Sequence, residues 1–424
     1  MNRVLVIGGG PAGMMAAGQA ATHGAEVVLL EKMQRPGKKI AISGKGRCNL
    51  SNSAELPEFI RHFGRNGRFL YQAFQHFFNQ DLIDFFEGQG LKLATERGGR
   101  IFPAQGNAPD VVRTLRQWLE ELSVSLRPNS AVEKLLIDNG KITGVLCNGH
   151  PVYGRAVILA PGGASYPATG SSGDGYKLAA SVWHSIVPIR PGLVPVITQG
   201  DLAQRLAGLH LRNVGVRLII NDATGGKKGS KRQKKCTAFG ELLFMKYGLS
   251  GPVILTLSNQ IVDALRADKQ VQLILDLKPA LDEQKLDARL QRDVQNRHKE
   301  PMQSMLRGLM PEKLVQVCLD EIGLAPDRLT GEMRAKERKR LRFWLKNISL
   351  TITGYRGFTE AIITCGGVSL KEVDPRTMAS TCCPGLYLAG EVLDLQADTG
   401  GYNLQAAFST GWIAGRSAVE HCLN

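Results

Sequence analysis

No apolar run in the chain approaches the roughly eighteen residues a membrane-spanning helix needs, so an integral membrane protein is not expected. A strand-like segment begins at Val4, leaving no room ahead of it for a signal or transit peptide, and the cytoplasm is the expected location. The eight cysteines, Cys48, Cys147, Cys236, Cys318, Cys365, Cys382, Cys383 and Cys422, are scattered. None makes a C-x-x-C pair or a zinc-ligand spacing, which argues against a disulfide reductase and a structural zinc site. No metal is expected, and most of these thiols read as small buried hydrophobes. No internal repeat is present, and the apolar and charged fractions are ordinary. With 424 residues, the chain can bury a large core in about two or three domains.

Charge is less ordinary. The net charge is +15, and the stretch Pro191 to Arg356 holds 29 Lys/Arg against 17 Asp/Glu. Most of the excess therefore sits in the middle of the chain, which suggests a polyanionic partner for that part. Two places stand out. Gly225 to Lys235 carries Lys227, Lys228, Lys231, Arg232, Lys234 and Lys235 among eleven residues, with no apolar residue to anchor it. A helical segment predicted over Gly331–Lys346 is crowded with Arg334, Lys336, Arg338, Lys339, Arg340 and Arg342.

At the amino terminus, Val4-Leu5-Val6-Ile7 reads as a buried strand followed at once by Gly8-Gly9-Gly10-Pro11-Ala12-Gly13. An Ala-rich helical run follows to about Ala21, and Glu26–Glu31 makes a second strand. Gly8, Gly10 and Gly13 fit G-x-G-x-x-G: a sharp turn, a close approach of backbone to a pyrophosphate, and tight helix–strand packing. The phosphates of a dinucleotide then meet free N–H groups at the positive end of the helix. Glu31, closing the second strand, is placed to accept hydrogen bonds from ribose hydroxyls. The basic stretch Lys32–Lys39 and the glycine-rich Ser43–Asn52 come next, and a loop beyond such a strand faces the ligand.

Further along, Phe69–Phe86 reads as an aromatic-rich core helix, Gly98–Pro103 as a turn toward the active-site region, and Asp110–Leu122 as another helix. Asn139-Gly140 and Asn148-Gly149 mark the hairpins of a three-strand meander ending in Ala156–Gly163. Strands are expected at Val194–Ile197, Leu211–Ile220 and Val271–Leu277. Helices are expected from Leu249 to about Leu265, at Asp282–Arg297 and at Pro311–Ile322. The chain closes with strands over Glu360–Val368 and Gly385–Glu391, then Asp398–Gln405 leading into a small-residue helix. No second G-x-G-x-x-G occurs, so no separate nicotinamide domain is expected.

The amino-terminal triplet with Glu31, the meander ending in Ala160-Pro161-Gly162-Gly163, and Leu388-Ala389-Gly390-Glu391 resemble the three dispersed FAD motifs of glutathione-reductase-type flavoproteins. The combination of Ser43–Asn52, Gly163–Gly175 and Ala389–Ala407 is similar, across the whole chain, to the BaiN/RdsA (YhiN-type) family of NAD(P)/FAD-dependent oxidoreductases. One departure is Glu391, where the broader class usually has aspartate. The resemblance implies an α/β fold: a Rossmann-like FAD-binding domain, with parallel sheet and β-meander, interrupted by a β-rich and helical insert. Its two parts would span 1–190 and 357–424. The insert would span 191–356, β-rich over 191–278 and 347–356 and helical over 279–346.

The same resemblance implies FAD contacts at Gly8, Gly10, Pro11, Ala12, Gly13, Glu31, Lys32, Lys39, Arg47, Val132, Gly162, Gly163, Gly390, Glu391, Gly400, Gly401, Asn403 and Leu404, with Gln405 alongside. Hydride delivery to an activated C=C bond is the implied chemistry, with NAD(P)H as a transient donor. Such a reduction needs a proton donor and a group that stabilises charge on a neighbouring carbonyl. Arg47, Cys48 and Asn49, beside Lys45, are the candidates, Arg47 for the oxyanion and Cys48 for the proton. The basic insert, through the six cations of the 225–235 loop and Arg338, Lys339 and Arg340, suggests RNA as the polyanion. The leading expectation is reduction of a uridine in ribosomal RNA to dihydrouridine. The alternatives are reduction of a small conjugated enone or steroid-like substrate, and an RNA-binding assembly factor with structural FAD.

Overall fold

The computed structural model describes residues 2–222 and 234–423. Its backbone divides into two compact units, Met1–Pro191 with Phe358–Asn424, and Gly192–Gly357.

The first unit is built on a five-stranded parallel sheet in the order Leu386–Leu388, Ala156–Leu159, Arg3–Ile7, Glu26–Leu30, Ser125–Arg127. The three middle strands are almost wholly buried, as expected of parallel strands covered on both faces, and they read as unbroken apolar runs. The helix Pro11–Thr22 lies against the carboxy-terminal helix Tyr402–Leu423. Glycine makes this contact close: a Cβ on Gly411 would sit 2.2 Å from the Ala12 carbonyl oxygen, and one on Gly415 2.3 Å from that of Ala16. On the other side of the same helix, Gly18 leaves room for the Trp118 ring. The meander comprises Val132–Asp138, Lys141–Cys147 and His150–Tyr153. Its hairpins turn on Asn139-Gly140 and Asn148-Gly149, all four residues in the left-handed region that two-residue hairpin turns demand.

Several elements differ from the sequence expectation. Phe69–Phe86 is not one helix but a 3-10 turn over Gly64–Leu70 and helices Tyr71–His76 and Asn79–Gly88. The break falls at Phe77 and Phe78, both extended, and the Asp81 carboxylate accepts the Phe78 N–H at 2.7 Å to start the next helix. The six Phe residues in this segment are too closely spaced for one apolar stripe, and the break lets Phe74, Phe77 and Phe86 all enter the core. The helix expected from Asp110 begins earlier, at Ala108, because Asn107 caps it and Asp110 bonds back to the Asn107 N–H. Near the carboxy terminus the regular strands shorten to Ile363–Val368 and Leu386–Leu388, and Gly390–Val392 forms a 3-10 turn.

The second unit is a closed six-stranded barrel carrying a helical cluster, with its own apolar core. Around the barrel run Val196–Thr198, Gly248–Ser250, Lys234–Met245, His210–Asn221, Gln270–Asp276 and Ile348–Tyr355, which returns to pair with Val196–Thr198. Leu249 and Ser250 belong to a barrel strand, and the following helix starts only at Pro252, after Gly251 at φ 97°. The helical cluster comprises Glu283–Asn296, Met302–Arg307, Glu312–Ile322 and Ala335–Lys346. Met302–Arg307 was not anticipated, and the basic helix begins at Ala335 rather than Gly331. Among the described residues, no helix is long and apolar enough to cross a membrane.

The helix contact makes a stability prediction. Alanine is favoured over glycine in a helix by about 1 kcal/mol, but a Cβ at Gly415 would collide with backbone that has no room to yield. Gly415→Ala should therefore lower stability by about 1–3 kcal/mol, read as a shifted midpoint in urea unfolding of the first unit's signal.

Candidate cofactor and substrate site

The turn after the strand Arg3–Ile7 shows three glycines kept for three different reasons. Gly8 sits at φ 101°, donates its N–H to Leu30 O at 2.8 Å, and would drive a Cβ to within 2.4 Å of Ala160 O. A Cβ on Gly13 would fall 1.8 Å from Gly8 O. Gly10 is different: it precedes the helix with ordinary backbone angles, and a Cβ there would meet nothing within 4 Å. Protein packing therefore explains Gly8 and Gly13 but not Gly10. What a side chain at Gly10 would obstruct is the approach to the N–H groups of Pro11-Ala12-Gly13's first turn, where Ala12 and Gly13 have donors and Pro11 has none.

Glu31 is buried beside that turn. Its Oε2 accepts the Gly9 N–H and its Oε1 the Met33 N–H, each at 2.7 Å, so the carboxylate is oriented with acceptor capacity left on both oxygens. The residues ahead of Val132 run alongside, Ser130 N–H donating to Glu31 O at 2.8 Å. Lys32 bridges to Ser172 and, at 2.6 Å, to Asp174, and this pairing holds the Asp174 carboxyl below its usual range.

A polar node joins distant stretches of the chain. Lys39 Nζ contacts Glu391 Oε2 at 2.7 Å and Ser165 Oγ at 2.6 Å. Glu391 Oε1 accepts the Thr364 N–H at 2.8 Å, while Thr364 Oγ1 accepts the N–H groups of Ala164 and Ser165. Gly163 is required here, since its Cβ would lie 2.5 Å from Thr364 Oγ1, and Gly162 is left-handed at φ 80°. Ser165 and Thr364 were not singled out in the sequence, although their segments, Gly163–Gly175 and Glu360–Val368, were.

Where Ser43–Asn52 meets the start of the carboxy-terminal helix, Gly401 sits so close to Ser51 that a Cβ would be 2.1 Å from its carbonyl oxygen. Asn52 Nδ2 donates to Gly400 O at 3.1 Å. The side chain of Asn403, expected among the flavin contacts, holds the preceding loop: its amide accepts from Ala397 N and donates to Ala397 O and Asp398 O. Leu404 is partly buried against the core. Gln405 Oε1, Asn49 Oδ1 and Ser51 Oγ are buried with no hydrogen-bond partner among the described residues. Three orphaned polar atoms in one neighbourhood need a partner that the chain does not supply. His62 joins this neighbourhood without sequence warning, stacked on Tyr402 with ring centroids 3.9 Å apart and 3.2 Å from Asp398.

The loop itself is strained. Gly44, Lys45, Gly46 and Cys48 all lie in the left-handed region, which costs most at the two non-glycine positions. It presents Arg47 half-exposed, bonded to both Glu96 oxygens and 4.4 Å over the Phe102 ring. The hydrogen bond to Glu96 raises the Arg47 pKa and lowers that of Glu96, so this pair is fixed in its charged form. Cys48 points the other way. It is fully buried in the core, and burial pushes its thiol up to about 12. A thiol so placed is a packing group, a position that gives no support to the possible proton-donor role expected of Cys48.

Among groups able to hold a metal, the described residues bring His184, Glu372 and Cys382 together. Ser380 Oγ and Glu372 Oε2 already lie 2.7 and 3.3 Å from the two His184 ring nitrogens, so hydroxyl and carboxylate serve the imidazole.

Of the basic residues of the insert, Lys227, Lys228, Lys231 and Arg232 lie outside the described residues. Lys234 and Lys235 are exposed at the start of a barrel strand. Arg338 is tied to Asp287 at 3.2 Å, whereas Lys339 and Arg340 are exposed with no ion-pair partner among the described residues.

The residues fit FAD: an unobstructed helix amino terminus at Gly10, an oriented acid at Glu31, and orphaned buried polar atoms at Gln405 and Asn49. Fold and site together define an FAD-binding Rossmann-type flavoprotein, an FAD-dependent oxidoreductase. The chain belongs to the HI0933-like family, since residues 2–417 match the HI0933-like protein Rossmann domain. It is 31% identical to a 3-dehydro-bile acid delta(4,6)-reductase of Clostridium scindens, covering 99% of this chain and 100% of that protein. It is also 31% identical to a ribosomal RNA dihydrouridine synthase of Escherichia coli, covering 98% of this chain and 97% of that one. A flavocytochrome c3 fumarate reductase in its open conformation matches with TM-score 0.53 at 18% identity, covering 100% of this chain and 79% of that chain, a likeness of fold alone.

Gly10 separates cofactor from fold. Gly10→Ala should leave the unfolding midpoint nearly unchanged but reduce FAD affinity at least about tenfold, equivalent to one lost phosphate-type hydrogen bond. The flavin-to-protein absorbance ratio of purified protein checks this, and a fully loaded variant would contradict it.

Proposed function

We propose that the protein reduces a uridine of ribosomal RNA to dihydrouridine, with NAD(P)H as electron donor. The observation that carries this reading is the distribution of charge: an excess of twelve cations lies between Pro191 and Arg356, and part of it, at Lys336, Lys339 and Arg340, is exposed without ion-pair partners among the described residues. Small apolar substrates give no reason for such an excess, whereas a phosphate backbone does. Identity does not choose between substrates, since the bile-acid reductase and the RNA enzyme are each 31% identical to this chain.

When bound, FAD supplies the hydride for a conjugated C=C bond, and uracil offers one beside its C4 carbonyl. The chain's residues do the rest. The Ala12 and Gly13 N–H groups bind the pyrophosphate and Glu31 the ribose. Lys39 and Glu391 fix the strand end and the Gly390 turn against each other. Arg47, pinned by Glu96 and Phe102, donates to the carbonyl oxygen on which charge accumulates. With Cys48 withdrawn into the core, the proton for the second carbon comes from a group other than that thiol. NAD(P)H binds transiently, because no second dinucleotide fingerprint is present. The target base must be unpaired or flipped out to be reached.

The second reading, reduction of a small conjugated enone, is favoured by the similarity to the bile-acid reductase. Mass analysis of ribosomal RNA nucleosides from cells with and without the gene separates the two. Loss of a two-hydrogen mass increment on one uridine is the expected result. Identical nucleosides in both would exclude the RNA reading.

A further inference from the structure

The basic helix Ala335–Lys346 is divided in two by its neighbours. Arg338 and Arg342 face the helix Glu283–Asn296 and bind Asp287, and Lys346 binds Asp276 at 2.7 Å. Their charge is spent inside the protein. Lys336, Lys339, Arg340 and Phe343 lie on the opposite side, at the three- and four-residue spacings that share a helix face. The three cations are exposed and lack any ion-pair partner among the described residues, and Phe343 is 65% exposed.

This face continues onto the barrel. At the helix end, Asn347 donates from Nδ2 to Phe343 O at 3.0 Å and accepts from Arg217 Nη2 at 2.6 Å. Arg217 points outward from His210–Asn221, two residues from Gly215, whose cross-strand partner is Phe239. Gly215 has no side chain to cover that ring, and Phe239 is likewise 65% exposed. A large exposed aromatic ring loses hydrophobic stabilisation unless something covers it.

We infer that this outer face, with Phe343 and Phe239 as stacking platforms and Lys336, Lys339, Arg340 and Arg217 as phosphate contacts, is where the second unit binds single-stranded RNA. Free cations interleaved with exposed aromatic rings match the two things a single strand offers, a charged backbone and the faces of its bases. A duplex hides those faces, and an acidic protein surface has no use for two flat rings among the cations. The inference rests on the RNA reading above and adds to it a surface and a strandedness.

The test uses full-length, FAD-loaded protein and a fluorescein-labelled oligouridylate of about twelve nucleotides, within the usual range of single-strand site sizes. Anisotropy is followed across a salt series. Phe343→Ala with Phe239→Ala should weaken binding at least about 30-fold with the salt slope unchanged, because stacking releases no counterions. Lys336→Gln, Lys339→Gln and Arg340→Gln together should reduce the slope of log K against log salt by about two, at roughly 0.7 per phosphate contact. Flavin content and unfolding midpoint should match the parent in both variants. Parent protein that binds while both variants bind equally well, with the parent's slope, overturns this surface alone. A duplex competitor as effective as the single strand overturns the strandedness. Parent protein with no affinity for the oligonucleotide overturns this inference, while the nucleoside comparison still judges the RNA reading on its own.

Discussion

The first unit depends on one close contact between parts of the chain that are far apart in sequence. Gly411 and Gly415 let the last helix press onto the carbonyls of Ala12 and Ala16, and Gly390 comes within 2.8 Å, measured from an added Cβ, of Ala12 Cβ. The amino-terminal nucleotide turn and the carboxy-terminal strand end are thereby held side by side, with Lys39 and Glu391 joined across the gap. Interrupting such a domain costs little. Loop-closure entropy grows only by about 0.6 kcal/mol per doubling of loop length, and residues 192–357 bury a core of their own.

Features set by neighbours in sequence were legible, and features set by distant partners were not. Gly8–Gly13, the two Asn-Gly hairpins and the apolar runs of the parallel sheet announce themselves because a turn or a doubly buried strand constrains its own residues. Barrel closure does not, since Val196–Thr198 must find Ile348–Tyr355, and nothing local says so. The break at Phe77 depended on an Asp81 cap competing with a helix that would have left Phe side chains outside. In the site, Gly10 and Glu31 could be read as a pair with defined jobs. Cys48 looked available in a polar loop, but its left-handed backbone turns the thiol into the core. Arg338 looked as free as Lys339 until Asp287, on another helix, was seen to neutralise it.

Net charge alone would have overstated the case for a polyanion. Cations at Arg328, Arg338, Arg342 and Lys346 are occupied by Glu337, Asp287 and Asp276 and act as internal struts. What remains at Lys336, Lys339 and Arg340 is a smaller charge, concentrated on one face beside an uncovered ring. On the RNA reading proposed above, the cofactor-binding residues and the polymer-binding face belong to different units.

The most direct test is a single turnover without nicotinamide. Holoprotein reduced photochemically and mixed anaerobically with an unmodified ribosomal RNA fragment should regain its oxidised flavin absorbance at least about tenfold faster than with a steroid-like enone, the margin one to two well-placed binding contacts provide. Rapid reoxidation by the enone and none by the RNA would contradict the account.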